Sequence, residues 1–361
     1  MKRIFILGLL LVTWAVLLIA GCGGDEKKEA ATEVAADNGS KKTLNIYMWP
    51  DIVDPKLIEA FEKQNNCRIN YDVISNNEEL LAKMQAGGAQ YDLIQPSDYM
   101  VEIMIKLKML DKLNQDNIPN KKHLVPFLQK PAYDPTGEYV VPYTWGFTGI
   151  VYNKKYVKKA PTSLADLWDP DYKNRLILLN DSREVLGMSL KKNGFSNNST
   201  KQEEIDIAVK DLQKLMDNVM AFDTDTIKQK MIAEEAWIGI MWSGDASFVI
   251  QDNKDIGYVV PKEGGVIWAD NLAIPKTCKN KELAEKFINF IFEPKNSAQN
   301  FEYIGYDETN TEAMQYHDEE FRNNPVLKEA RDHADRGEWL KDIGEHVTMY
   351  DRAWTELKSG M

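Results

Sequence analysis

The feature that most restricts the fold is an alternation of strand-like and helix-like segments that begins at Thr43. Short apolar runs predict strands, whereas apolar residues three and four positions apart predict amphipathic helices. The first unit is a β-α-β-α-β run with predicted strands 44–49, 68–74 and 91–95 and helices 55–64 and 77–84. Such a run is typical of a parallel sheet flanked by helices.

A second unit of the same kind occupies the middle of the chain. Its predicted strands are 175–179 and 236–242, its predicted helices are 184–192, 201–216 and 224–233, and a further helix is predicted at 281–292. A chain of 361 residues is long enough for two compact lobes. We therefore expect an α/β fold of two lobes in which ligands bind at the carboxyl ends of the strands.

Aromatic and acidic residues are concentrated at those predicted strand ends. An acid follows a tryptophan within three positions at three places: Trp49–Asp51, Trp242–Asp245 and Trp268–Asp270. The run 97–99 (Ser-Asp-Tyr) and Asp181 follow two other predicted strands. An ammonium group gains about 0.5–2 kcal/mol over an aromatic face and about 1.5–3 kcal/mol from a hydrogen bond to a carboxylate. The pattern therefore favours a site for an aliphatic cation.

The charge balance agrees with a cationic ligand. The chain has 44 basic and 56 acidic residues, and its formal net charge is −12. Because this charge repels phosphate groups, we expect no nucleic-acid partner.

The N-terminus has the pattern of a secretory signal, since Lys2 and Arg3 precede the apolar run 4–20. The following Gly21-Cys22 resembles a bacterial lipobox, in which Cys22 is lipidated and becomes the mature N-terminus. We expect a signal peptide at 1–21, a flexible tether at 22–42 and a protein anchored to the outer face of a cell membrane. The alternative is an uncleaved membrane anchor, because the apolar run is nearly long enough to span a bilayer.

Outside the cytoplasm a disulfide between Cys67 and Cys278 is permitted, but their spacing does not require one. The four histidines lie mostly among polar residues and are expected at the surface: His123, His317, His333 and His346. Neither a metal nor another cofactor is predicted, because no spacing brings these histidines together.

Motifs for phosphate binding, nucleophilic catalysis and zinc-dependent hydrolysis are absent from the sequence. The paired acids leave one enzymatic alternative, a secreted glycosidase that uses two carboxylates and aromatic platforms. A sugar or amino-acid receptor of the same fold is less favoured. An amino-acid site needs a cation for the carboxylate, and among the strand-end loops only Arg183 could supply it; Arg183 is expected instead to form an ion pair within its lobe.

From Thr43 to its end the chain resembles the substrate-binding proteins of bacterial spermidine/putrescine ABC importers. The matching segments are YMW at 47–49, YDLI at 91–94 with PS at 96–97, VPYTWG at 141–146, LADLW at 164–168, DSREV at 181–185, MWSG at 241–244, PKEGG at 261–265, WADNLAIP at 268–275 and IGY at 304–306. The resemblance implies a periplasmic-binding-protein fold with a hinge and a central cleft, and a permease as partner. It implies lobe 1 at 43–145 plus 269–315 and lobe 2 at 146–268 plus 316–361.

The resemblance also implies roles for individual residues. Aromatic walls around a polyamine would be Trp49, Tyr99, Trp242, Trp268 and Tyr306. Acids that hold ammonium groups would be Asp181, Glu184 and Asp270, with Ser97 as a hydroxyl partner and Asp51, Asp98 and Asp245 as further candidate acids. Pro50, Ile52 and Leu340 depart from the spermidine-preferring pattern, so the choice between putrescine and spermidine stays open.

Overall fold

The structure, a computed structural model, describes residues 41–87 and 90–359. The expected signal peptide, the lipidation at Cys22 and nearly all of the expected tether lie outside the described residues. None of the helices in the described part is long and apolar enough to cross a membrane.

Within the described residues the chain forms ten strands and twelve α-helices. The strands are β1 (Lys42–Met48), β2 (Cys67–Val73), β3 (Leu93–Ile94), β4 (Val140–Asn153), β5 (Leu176–Leu178), β6 (Val219–Phe222), β7 (Ile238–Trp242), β8 (Ile256–Val259), β9 (Gly265–Ala273) and β10 (Gly337–Trp339). The helices are α1 (Pro55–Asn65), α2 (Asn77–Gln85), α3 (Asp98–Lys106), α4 (Ser182–Lys192), α5 (Gln202–Leu215), α6 (Ile227–Ile232), α7 (Ser243–Asp252), α8 (Lys281–Ile291), α9 (Pro294–Ile304), α10 (Glu319–Arg322), α11 (Pro325–Asp332) and α12 (Val347–Ser359).

The strands are arranged as two half-sheets that share β4. The first half-sheet has the order β2-β1-β3-β9-β4, with β10 beside β9; the second has the order β4-β7-β5-β6, with β8 beside β4. β1 is parallel to β2 and β3, and β5 is parallel to β6 and β7, whereas β9 and β7 are antiparallel to β4. The parallel units predicted from the sequence are thus joined by antiparallel strands.

Strand β4 carries the chain from one half-sheet to the other. Its residues from Val140 to Phe147 pair with β9, and those from Thr148 to Tyr152 pair with β7. All 14 of its residues are buried, as expected of a strand covered on both faces. The change of partner falls two residues after position 145, where the resemblance implies that lobe 1 passes into lobe 2, while the exact lobe bounds stay a prediction.

Local sequence explains how helix α1 covers the first half-sheet. The Asp54 side chain accepts a hydrogen bond from the backbone N–H of Lys56, and Pro55 occupies the first turn. Phe61 on the buried face packs edge-on against Phe287 of α8, with ring centroids 5.1 Å apart. The cap therefore fixes the start of the helix, and its apolar face fixes the position of the helix on the core.

His317 is an exception to the predicted surface histidines. Its side chain is buried, stacks on Phe321, and has one ring nitrogen 3.2 Å from Glu302 and the other 3.0 Å from Glu308. The prediction is wrong for His317 because Glu302, Glu308 and the Phe321 ring enclose it. Cys67 and Cys278 are free thiols.

The contact between β7 and β5 leaves no room for a side chain at Gly239. A Cβ atom there would lie 2.3 Å from the Ile177 carbonyl oxygen. We expect Gly239→Ala to lower the free energy of unfolding by about 1–3 kcal/mol, because the backbone of β5 must move to relieve the overlap. Chemical denaturation followed by circular dichroism measures the change; a transition midpoint equal to that of the parent protein would contradict it.

Candidate functional site

Asp270 lies in the middle of β9 and is one of two partly exposed residues of this strand. Its carboxylate accepts hydrogen bonds from the Ser97 hydroxyl at 2.7 Å and from the Thr144 hydroxyl at 3.3 Å. Ser97 follows β3 and Thr144 lies on β4, the strands on either side of β9. The sheet itself therefore fixes the position of this acid.

Burial raises the pKa of Asp270 to about 6, and the two hydroxyl donors oppose that rise. The Trp49 indole, just beyond the end of β1, also faces Asp270 and lowers the pKa, although its N–H does not reach hydrogen-bond geometry. These three neighbours are uncharged, so a positive partner would stabilise the ionised form of Asp270 further. This carboxylate is therefore suited to bind an ammonium group.

The start of helix α4 supplies two more acids. Asp181 caps the helix, since its side chain accepts from the backbone N–H groups of Arg183 at 2.8 Å and Glu184 at 3.0 Å. Glu184, in the first turn, accepts at one oxygen from the Thr148 hydroxyl at 2.9 Å and from the Trp242 indole at 3.0 Å. The cap thus orients Glu184 toward the end of β7.

Glu184 is buried, and its Oε2 atom accepts no hydrogen bond from any described residue. Burial, and secondly the nearby charge of Asp181, raise the pKa of Glu184 to about 8. Burial likewise raises the pKa of Asp181. Two acids side by side, of which Glu184 is buried and Asp181 is partly exposed, disfavour ionisation of both unless a cation joins them.

Asp98 and Tyr99 at the start of α3 face the same region from the first half-sheet. Asp98 is 1% exposed, and its Oδ2 atom has no hydrogen-bond partner in the described part of the chain. Burial raises the pKa of Asp98 well above its ordinary value, with a further contribution from the charge of Asp270. The Tyr99 hydroxyl donates to Glu78 at 3.0 Å, so Glu78 is a fifth acid beside Asp270, Asp181, Glu184 and Asp98.

Three aromatic rings form a row between these acids. Trp242 and Trp268 have ring centroids 6.4 Å apart, and Trp268 and Tyr306 have centroids 5.5 Å apart, both in edge-on geometry. Two glycines allow this approach: a Cβ on Gly146 would lie 2.4 Å from the Trp268 ring, and one on Gly244 would lie 2.1 Å from the Tyr306 ring. We call Trp242, Trp268 and Tyr306 the aromatic row.

Asp245 lies in the first turn of α7, next to Gly244 beneath the Tyr306 ring. Lys228 of α6 forms a salt bridge with it, with 3.0 Å between Nζ and Oδ1. Burial raises the pKa of Asp245, and the Lys228 ammonium opposes that rise. Among the predicted acids, Asp245 therefore differs in having an ammonium partner from the protein itself.

The acids and the aromatic row described above form one cluster. Eleven of the twelve predicted ligand residues lie in or beside this cluster, and Asp51 does not. Asp51 is exposed in the turn after β1, where its φ of 53° is in the left-handed region. Its predicted role is not supported by this position.

Arg183 also departs from its prediction. It donates to Asn198 at 2.9 Å and its guanidinium lies 5.0 Å from the centre of the Tyr350 ring. No salt bridge of Arg183 occurs among residues 41–87 and 90–359, so the expected ion pair is wrong. The Asn198 amide and the Tyr350 ring contact Arg183 instead.

Sequence reasoning missed four polar residues of the cluster, which are Glu78, Thr144, Thr148 and Lys228. Thr144 lies inside the segment 141–146 that carries the resemblance, so that motif could have indicated it. The other three reach the cluster only through folding, and no local pattern marks them.

Comparison with known proteins identifies the family. The family model described as bacterial extracellular solute-binding protein matches residues 56–329. The chain belongs to this family. The spermidine/putrescine-binding periplasmic protein of Escherichia coli K12 is 39% identical over 329 residues, which cover 90% of this chain and 94% of the relative. This similarity confirms the resemblance seen in the sequence motifs.

Two solved structures extend the comparison. The spermidine/putrescine ABC transporter substrate-binding protein PotD of Streptococcus pneumoniae aligns with a TM-score of 0.80 at 34% identity, covering 88% of this chain and 99% of that chain. The TpPotD lipoprotein of Treponema pallidum aligns with a TM-score of 0.79 at 27% identity, covering 88% and 99%. The predicted two-lobed α/β fold of the periplasmic binding proteins is thereby confirmed.

Proposed function

We propose that this chain is an extracytoplasmic receptor that binds putrescine, spermidine or both and delivers the polyamine to the permease of an ABC importer. The observation that carries the proposal is the aromatic row with buried acids around it. Two of those acids, Asp98 and Glu184, have an oxygen atom without a hydrogen-bond partner among the described residues. Buried acceptors of this kind are costly unless a donor reaches them.

In this proposal the aromatic row contacts the methylene chain of the polyamine, since rings gain from apolar contact and from nearby positive charge. Asp270 receives one ammonium group, with Ser97 holding the carboxylate in place. Asp181 and Glu184 receive another. Burial raises the pKa of these acids because their charged forms lose hydration. Each ammonium group donates a charge-assisted hydrogen bond that offsets this loss.

The names of the relatives support the same function, because they describe binding of spermidine and putrescine and a role in ABC transport. The words periplasmic and extracellular in those descriptions support a location outside the cytoplasm. The description of TpPotD as a lipoprotein supports a lipid anchor at Cys22. We therefore propose a membrane-tethered receptor without catalytic activity.

The glycosidase alternative has less support. The relatives reported above are named for binding or transport, and none is named for hydrolysis.

Isothermal titration calorimetry at low salt tests the proposed function. We expect putrescine or spermidine to bind with a dissociation constant of about 1 μM or tighter, about 8 kcal/mol of binding free energy. The matched controls are 1,4-butanediol and 1-butylamine, which keep the four-carbon chain but have no charge or a single charge. Absence of heat with every polyamine, or equal affinity for butanediol and putrescine, would contradict the proposal.

A further inference from the structure

Lys228 is the one cationic side chain that the described structure pairs with a predicted ligand acid. It lies on helix α6, and its ammonium group is 3.0 Å from Asp245 and 5.7 Å from the centre of the Phe248 ring. An ammonium beside a carboxylate and near an aromatic ring is the arrangement that the proposed function assigns to a polyamine. The protein thus supplies one such group itself.

The salt bridge lies at one end of the aromatic row. At the other end, Trp242 donates to Glu184. The row then runs through Trp268 to Tyr306, whose ring rests on Gly244, the neighbour of Asp245. Burial raises the pKa of Tyr306, and both Asp245 and Asp270 raise it further, so this ring lies near both acids. Asp245 therefore marks the end of the row opposite to Glu184.

We infer that Lys228 is a specificity-determining residue, which satisfies Asp245 with a resident ammonium group and thereby excludes a third ligand ammonium from that end of the site. This inference rests on the proposed function. Two acidic ends then remain for the ligand, Asp270 with its neighbour Asp98 and the Asp181–Glu184 pair, and two ends suit the two ammonium groups of a diamine. A triamine has to place its additional charge near the Lys228 ammonium, where like charges repel.

The partial exposure of Lys228 makes its role testable without loss of the fold. Its side chain is 36% exposed, whereas that of Asp245 is 12% exposed. Removing the ammonium leaves a mostly buried carboxylate without its cation, and such a group gains strongly from a new positive partner. A ligand ammonium that reaches this end can become that partner.

The experiment compares putrescine and spermidine affinities of the parent protein and Lys228→Met by calorimetry. We expect the parent protein to prefer putrescine. In Lys228→Met we expect spermidine to bind about tenfold more tightly than in the parent, with putrescine changed less than about threefold. Lys228→Gln provides a second neutral variant if the methionine variant does not fold.

Two control variants separate charge from other effects. Lys228→Arg keeps the positive charge and should keep the parent preference. Lys230→Met removes a lysine of the same helix that pairs with Asp223, and it should leave both affinities unchanged.

One outcome would overturn this inference alone. The parent protein binds a polyamine, and the ratio of spermidine affinity to putrescine affinity in Lys228→Met and Lys228→Gln equals that of the parent. A parent protein that binds neither polyamine would overturn the proposed function, and the inference with it.

Discussion

Asp270→Asn is expected to weaken polyamine binding more than tenfold, a loss of about 1.4 kcal/mol or more. Asparagine has nearly the same size. Ser97 and Thr144 donate to different oxygens of Asp270, so the amide oxygen can accept from one hydroxyl and the NH2 group can donate to the other. The substitution therefore removes the negative charge and keeps the local packing. A hydrogen bond to a charged group contributes about 1.5–3 kcal/mol, so loss of the charge accounts for the expected change.

Asp51→Asn is the matched control for that measurement. It makes the same chemical change at an acid that is exposed and outside the cluster. Calorimetric titration should show the parent affinity in Asp51→Asn. An unchanged affinity in Asp270→Asn would remove Asp270 from the ligand site, and a large loss in Asp51→Asn would show that the turn after β1 approaches the ligand.

The predicted strands and helices all occur, and each of their ends lies within three residues of the observed end. Such elements have strong local signals, as in 281–292, where apolar residues recur on one face and the structure has helix α8. Strands β4 and β9 were not predicted as strands. They are buried on most of their length, so apolar residues do not alternate there and the period that indicates a strand is absent.

The site was predictable to the extent that its residues lie at strand ends. Trp242 and Asp181 follow this rule. Trp242 is the last residue of β7, and Asp181 caps helix α4, which follows β5. Asp51 satisfies the same rule but is exposed in the turn after β1, where its φ is positive. Lys228 could not be predicted, because its partner Asp245 lies on another helix and pairs with it only in the folded protein.

The protonation of Glu184 connects binding to pH. The pKa of Glu184 is raised to about 8 by burial and by Asp181, and that of Asp270 is raised to about 6 by burial. Near pH 6 the free protein therefore holds a proton on the Asp181–Glu184 pair. A bound ammonium group favours the ionised carboxylate, so binding releases that proton. The polyamine itself keeps its charge over this range, because alkylammonium groups titrate near about pH 10.

Affinity for the polyamine is consequently expected to rise between pH 6 and pH 8, by up to about tenfold per pH unit for one released proton. The sign follows from linkage: a ligand that binds with loss of a proton binds more tightly as the proton concentration falls. Glu184→Gln should flatten this slope and weaken binding at pH 8, since glutamine still accepts from Thr148 and Trp242 but carries no titrating charge. Titrations at pH 6, 7 and 8 in two buffers of different ionisation enthalpy measure both the slope and the released proton, with Asp51→Asn again as the control. A pH slope in Glu184→Gln equal to that of the parent protein would assign the released proton to another group.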